Sequence, residues 1–343
     1  MAGPGLQVTT LSEVSLSEFT DLTRKEFSMT QMMVPVAARQ LFIEVPIASN
    51  SGNTRRFDEV DTETFASLKR EGENAAKASA GVGYNVTMTA RRFAKEIDIT
   101  YEMRRDNRAP EVGSALVSLA HHVPQRQELD LTHRLTFASS TSYTDKDGVS
   151  VDVSVGDTLA LVSASHTLAF SSATYSNRVS GDPVFSQGAL ESALLLSVTN
   201  IRNNFGDKRV MNFNTIISGD DPGTVRDIRQ VLESTADVDA AHEGVLNHFR
   251  GRMRHVMLPY LATTATGAYD STKRRWWGIA ATGQGTAGWQ AYLGIWEQPN
   301  LKTPAPGNNG EDVHSDNWTY GARGRYGIAA VSGRGIILSL PTS

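Results

Sequence analysis

Between Asn107 and Ser139 the apolar residues lie on one helical stripe that slips once. Val112, Leu116, Leu119 and Val123 are spaced four, three and four apart, as in an amphipathic helix. Ala109-Pro110 opens the stretch, with proline where a first helical turn tolerates a missing N–H. Pro124 then interrupts the pattern, and Leu131, Leu135 and Ala138 resume it one residue out of phase. The pattern predicts a helix that is kinked or split at Pro124. If continuous, it is about 40 Å long at 1.5 Å per residue. That length exceeds one compact core, so the element is expected to act as a spine joining separate lobes. The alternative is two ordinary helices with a bend.

The segment before the spine has a different rhythm. Arg55 to Arg108 holds 11 basic and 10 acidic residues in 54 positions. A polar run, Arg55 to Thr64, leads through a small-residue tip, Glu73 to Gly83. Two alternating runs follow, Tyr84, Val86, Met88 and then Ile97, Ile99, Tyr101, Met103, separated by Arg91-Arg92. A period of two predicts strands, and the whole segment reads as a long charged hairpin. A solvated hairpin, or a helix at Phe65 to Lys77, is one reading. The sharper one is a protruding loop that meets opposite charges on a neighbouring copy, because long two-stranded hairpins are only marginally stable alone. The residues expected to make that contact are Arg55, Arg56, Asp58, Glu59, Lys69, Arg70, Glu71, Arg91, Arg92 and Lys95.

Elsewhere the signals are shorter. Met1 to Thr10 is expected to be an unanchored arm, followed by a short helix from Ser15 to Phe27 capped by Ser15 or Ser17. Gln40 to Ile47 alternates like a strand. Asp145-Lys146-Asp147-Gly148 marks a turn; as a calcium loop it fails, with glycine too early and no glutamate at the twelfth position. Ser163 to Ser180, rich in serine, threonine and asparagine around His166, is expected to be an exposed loop. From Ser186 an α/β grammar begins: a helix at Gln187 to Asn203 (Leu190, Leu194, Val198, Ile201 inward), a strand at Phe213 to Ser218, and a helix at Pro222 to Glu233. Val245 to Leu261 is of mixed period. Arg274 to Ala281, Trp289 to Trp296, Trp318 to Val331 and Gly335 to Leu340 read as strands, with a loop at Asn300 to Asp316 and a Gly-Arg turn before the last strand. No internal repeat is present.

Composition narrows the options. At 343 residues the chain should hold two or three lobes. With 33 Lys+Arg against 37 Asp+Glu, it lacks the basic excess of a dedicated nucleic-acid or anionic-membrane binder. It has no cysteine, which excludes disulfides, thiolate zinc sites and cysteine nucleophiles. No signal peptide or membrane-length apolar run is visible, so a cytoplasmic origin is the default. Gly283-Gln284-Gly285-Thr286-Ala287-Gly288 matches a dinucleotide fingerprint, but an aromatic strand pattern follows it where the pyrophosphate needs a helix. His242-Glu243, His248, Arg254 and His255 invite a zinc reading. The histidine gaps are six and seven, however, and six residues turn through about 600° of helix. The paired His121-His122 fit the polar face of the spine. Neither G-x-S-x-G nor G-x-x-x-x-G-K-[ST] occurs. The sequence presents no convincing catalytic, cofactor or metal site.

The order of these pieces resembles the major capsid proteins of tailed phages, the Hong Kong 97-type fold. Lys95-Glu96-Ile97-Asp98-Ile99-Thr100-Tyr101-Glu102-Met103, then Asp106-Asn107, resembles the return strand of that family's extended loop entering its spine helix. Phe213 to Ser218 with the Pro222 helix is similar to the axial lobe. Arg254-His255-Val256-Met257-Leu258-Pro259-Tyr260-Leu261, then Trp276-Trp277-Gly278-Ile279-Ala280, resembles a strand, turn and strand of the same lobe. Trp318-Thr319-Tyr320 with Arg323 to Ile328, then Gly333-Arg334-Gly335, is similar to the closing strands of the peripheral lobe. Asp157 to His166 with Asn177 resembles the Mu-type head-subunit branch.

The resemblance spans about Gln40 to Ser339 and implies an α+β fold. Its parts would be an N-terminal arm (1–39), an extended charged loop with its leading strand (40–108), a peripheral lobe with the spine helix and a polar insertion (109–184), an axial α/β lobe (185–275), and C-terminal strands returning to both lobes (276–343). It implies a non-enzymatic subunit assembling with itself into the hexamers and pentamers of an icosahedral virion shell around double-stranded DNA. That DNA would be touched weakly and non-specifically. Scaffold, portal, decoration protein or prohead protease are the further partners implied; a membrane is not. No scaffold-like pre-sequence precedes the arm, so scaffolding is expected on another protein. Lys69 and Lys77 lie in the hairpin without an assignable asparagine partner, so cross-linking is not expected. The rivals are an encapsulin-type compartment shell and a metal-dependent enzyme using His242, His248 or His255.

Overall fold

The computed structural model describes residues 16–33, 36–48, 50–106, 108–236, 246–304 and 316–342. In chain order the elements are α1 (Leu16–Met33), β1 (Ile43–Pro46), β2 (Thr54–Thr62), β3 (Ala80–Thr89), β4 (Arg91–Ile99), α2 (Tyr101–Arg105) and α3 (Ala109–Thr136). Then come β5 (Ser142–Thr144), β6 (Ser150–Asp152), β7 (His166–Thr167), β8 (Thr174–Tyr175), α4 (Gln187–Thr199), β9 (Thr215–Ser218) and α5 (Pro222–Glu233). The chain closes with β10 (Arg254–Met257), β11 (Trp277–Ala280), β12 (Ala291–Lys302), β13 (Trp318–Ala330) and β14 (Ile336–Ser339). The result is a mixed α+β fold with several sheets and few helices.

The spine is one helix. α3 runs 28 residues, through Pro124. The phase slip at Pro124 has a packing cause. Val112, Leu116, Leu119 and Val123 enter one core with Phe19 and Phe27 of α1 and Trp318 and Tyr320 of β13. Leu131, Leu135 and Ala138 enter another, with Leu41, Trp289, Leu293 and Leu338. Each half of the helix must aim its stripe at a different core.

Two four-stranded sheets carry the rest. One has the order β1-β12-β13-β4, the other β10-β9-β11-β14. In the second sheet Ile216, Ile279 and Ile337 face α4 and α5, while Ile217, Val256, Ile336 and Leu338 face the core that holds Leu131. Burial on both faces explains why β9, β11 and β14 are rich in apolar residues without a polar alternation, whereas the edge strand β10 is partly exposed. The C-terminal strands feed both sheets, β12 and β13 the first, β11 and β14 the second. α5 starts where expected because Asp221 caps it, its Oδ2 accepting the Thr224 N–H at 3.0 Å behind Pro222.

Several expectations need correction. The two alternating runs after the hairpin tip do not form one return strand. β3 pairs with β2, whereas β4 pairs antiparallel with β13, from Arg91 opposite Tyr326 to Ile99 opposite Trp318. Tyr101 and Met103 leave the strand for α2, because Thr100 Oγ1 accepts the Met103 N–H at 3.2 Å and starts a helix. Residues 63–79 contain no helix, so the Phe65 to Lys77 alternative falls. Part of the expected N-terminal arm is α1, which runs beyond Phe27 to Met33 and packs on α3; Met1 to Thr10 lies outside the described residues. The predicted strand at Gln40 to Ile47 is shortened to β1, since Ala38–Leu41 forms a 3-10 turn that buries Leu41. α4 ends at Thr199, leaving Val198 52% exposed, not inward.

The Ser163 to Ser180 stretch is not an exposed loop. His166 is fully buried, its Nδ1 at 2.8 Å from Asp157 Oδ2 and its ring stacked on Tyr175. Asn177, also fully buried, donates to the carbonyls of Leu161 at 2.7 Å and Gly333 at 2.9 Å and accepts the Ser163 N–H at 2.9 Å. Asn177 and the Nδ1 side of His166 fold inward here because they find partners.

Candidate assembly surface at the charged hairpin

The hairpin of β2 and β3 has a root and a tip of opposite character. At the root, Glu59 is 2% exposed, held by Arg334 Nη1 and by Asn204 Nδ2 at 2.9 Å. Asp61 Oδ2 accepts from the Asn204 side chain at 3.0 Å, and Arg209 Nη1 lies 3.5 Å from Asp61 Oδ1. Arg334 is itself 2% exposed, with its guanidinium 5.2 Å from the Tyr175 ring centroid. Burial works against its charge, but Tyr175, Glu59 and Asp61 more than offset that and raise its pKa. Further out, Asn203 Nδ2 donates to Thr64 Oγ1 at 2.9 Å, and the Thr64 N–H donates to Asp207 at 3.1 Å. Gly81 and Gly83 lie so close to Phe170 and Asn204 that a Cβ would fall within 2.4 and 2.6 Å of them. The root is therefore part of the subunit body.

The tip is not. Residues 65–79 have no regular secondary structure, and all are exposed. Gly72 turns the chain with φ +80°. Phe65 is 71% and Leu68 88% exposed, beside Lys69, Arg70 and Glu71. Two large apolar side chains flanked by charges thus stand in the open, uncovered by the described residues of their own subunit.

The charged residues singled out from sequence thus divide. Lys69, Arg70 and Glu71 lie on the tip, and Arg55 is exposed on β2. Arg56 and Asp58 pair with each other at 2.6 Å on the surface. Glu59 is committed inside the subunit. Arg91, Arg92 and Lys95 belong to β4 in the first sheet; Arg91 Nη2 binds Asp145 at 2.5 Å, and Arg92 and Lys95 are exposed. Sequence reasoning placed Arg334 only in the turn before the last strand and missed its role at the hairpin root, where its one signal was a glycine on each side.

The glycine run at 283–288 forms a 3-10 turn, Gly285–Ala287, and leads into β12. His242 and Glu243 lie outside the described residues. His248 packs on Phe249, and His255 Nε2 lies 2.8 Å from Ser218 Oγ. Among the described residues no three His, Asp or Glu side chains converge as a metal site, and no helix is long and apolar enough to cross a membrane.

No protein-family model matches this chain, and no curated protein matches it in sequence. Solved structures do share its fold. A chain from Microbacterium phage Oxtober96 is 12% identical, with a TM-score of 0.50 over 90% of this chain and 91% of that one. The capsid of the cyanophage P-SCSP1u gives 0.51 at 10% identity, over 88% and 86%. The asymmetric unit of the bacteriophage PhiM1 mature capsid gives 0.50 at 12% identity, over 89% and 87%. The α+β fold seen here is therefore one that phage capsid chains adopt, across nearly the whole chain.

Proposed function

We propose that this chain is a shell subunit of the Hong Kong 97 type, assembling into the hexamers and pentamers of an icosahedral capsid around double-stranded DNA. The observation that carries the reading is the capsid fold, matched over about nine-tenths of the chain at TM-scores of 0.50 and 0.51. The hairpin supports it: a root tied into the subunit presents an apolar, charged tip that its own subunit leaves uncovered. The mechanism is self-association without catalysis. The tip, through Phe65, Leu68, Lys69, Arg70 and Glu71, lies on an adjacent subunit, with Arg55 and Arg92 as further surface charges. An exposed ion pair contributes only about 0–1 kcal/mol. Many copies in a closed shell add up, while each contact stays weak enough to let misplaced subunits leave. The near-balanced charge, net -4, suits a wall that holds DNA without binding it tightly.

Negative-stain electron microscopy with size-exclusion chromatography tests this. The purified chain, alone or with a co-expressed scaffold, is expected to give closed shells, tubes or hexameric rings. Lys69→Glu with Arg70→Glu should weaken them while leaving the subunit folded. A protein that stays a monomer or dimer at high concentration in both settings overturns the reading.

A further inference from the structure

A cleft of about 290 Å³ opens between β4, the middle of α3 and the β5–β6 turn. β4 contributes Lys95, α3 contributes His122 and Arg126, and the turn contributes Lys146 and Asp147. Arg126 is only 8% exposed and already engaged, at 2.9 Å from Asp130, 3.0 Å from Asp145 and 2.7 Å from Asp147. Arg91 shares Asp145. That internal cluster sets two guanidinium groups against three carboxylates, one negative charge in excess. Lys95 and Lys146 have no carboxylate within ion-pair distance among the described residues, so the cleft as a whole is one positive charge in excess. His122, half-buried, also lines the cleft, with its Nδ1 shut from solvent. Burial lowers the pKa of His122, and Lys95, His121 and Lys146 lower it further, so positive charge from two other elements converges on this ring.

Like charges gathered around a cavity repel each other, and a bound anion relieves that repulsion. We propose that this cleft is an oxyanion-binding site, taking a sulfate- or phosphate-type group between the ammonium groups of Lys95 and Lys146, with the His122 ring beside them in the lining. Asp147 is held by Arg126, which keeps its carboxylate from competing. The site is independent of the shell reading, since the chain can bind or fail to bind an anion whatever it assembles into.

The test is histidine-selective NMR on the full chain, titrating sodium sulfate against sodium chloride at constant ionic strength. Sulfate keeps its charge throughout the range in which histidine titrates. The His122 signal is expected to shift saturably with sulfate and not with chloride. Lys95→Gln with Lys146→Gln should weaken sulfate about a hundredfold or more, the scale of two lost charge-assisted contacts. Sulfate should also raise the His122 pKa in the unmutated chain, a readout that needs no variant. A non-saturating drift, an unmoved His122 pKa, or unchanged affinity in the folded double variant overturns the site. Short duplex DNA then identifies the source. Displacement of sulfate by the duplex assigns the site to backbone phosphate, and sulfate binding indifferent to the duplex assigns it to a small free oxyanion.

Discussion

Replacing Arg334 with methionine tests how the hairpin root is held. The substitution keeps most of the apolar length and removes the guanidinium. Glu59, 2% exposed, then loses its closest cation, and Asn204 Oδ1 loses the Arg334 donor at 2.7 Å. Breaking a buried ion pair from one side costs about 3–5 kcal/mol. Glu59 keeps the Asn204 amide at 2.9 Å, and Arg209 stands 3.9 Å away, so the lower end, about 3 kcal/mol, is expected. Removing both charges, Glu59→Leu with Arg334→Met, leaves no stranded carboxylate. What remains is the weakened Asn204, about 1 kcal/mol. Urea unfolding of unassembled subunits, followed by the fluorescence of the buried Trp277 and Trp289, reads both values. The single variant should be the less stable by about 2 kcal/mol, with an unchanged denaturant slope. Amide exchange in β2 and β3 should quicken in the single variant more than elsewhere. A single variant within about 1 kcal/mol of the unmutated chain, or a double variant no better than the single, refutes the reasoning.

Other outcomes follow from the same packing. Gly335→Ala would put a Cβ 2.2 Å from Trp289 Cα; thermal unfolding should show a loss of about 1–3 kcal/mol or more, since backbone on both sides must move. Burial, opposed by bonds from the Ala38 and Ala37 N–H groups, pushes Glu128 up to about 7, so folding takes up a proton there and stability falls as pH rises from about 4.5 to 7. Burial, with Lys273 and Arg126, pushes His133 down to about 4, so its contribution is lost as pH falls from about 6.5 to 4. These two slopes oppose each other where they overlap. Glu128→Gln should therefore make stability rise with pH across that overlap, with a gain over the unmutated chain of about 2–3 kcal/mol at pH 8 and little change near pH 4. Urea midpoints measured at each pH check this; equal curves for variant and parent would show that Glu128 is not held protonated.

Local signals were readable in the sequence and long-range ones were not. Asp221-Pro222 announces α5 because a cap and a proline act within one turn. The slip at Pro124 is visible as a slip, but its cause, two separate cores, requires α1 and β13, far away in the chain. The alternation of Ile97 and Ile99 reads as strand, yet nothing in a period of two names the partner. It is β13, more than two hundred residues on. His166 and Asn177 read as surface because polar composition is silent about partners; Asp157 and Gly333 supply them. Arg334 shows only its flanking glycines. Their meaning is steric: a Cβ at position 333 would lie 2.6 Å from Asn177 Nδ2, and one at 335 would meet Trp289.

The division of the hairpin also separates two ways of failing to assemble. In the proposed assembly a tip carried on a fixed root would arrive at a neighbour with its base already oriented, and only the tip itself would have to be ordered, its side chains at about 0.5–1.5 kcal/mol each. Freeing the root adds the ordering of β2 and β3 to that cost without touching any contact surface. Arg334→Met should therefore raise the concentration needed for shells or rings, while the assemblies that form keep their normal geometry. Lys69→Glu with Arg70→Glu should weaken contacts with no change in amide exchange at the root. Light scattering across a concentration series, paired with exchange measurements on unassembled subunits, distinguishes them. If Arg334→Met quickens exchange in β2 and β3 yet assembles at the parent's concentration, the root does not orient the tip, and the internal anchoring serves the stability of the subunit alone.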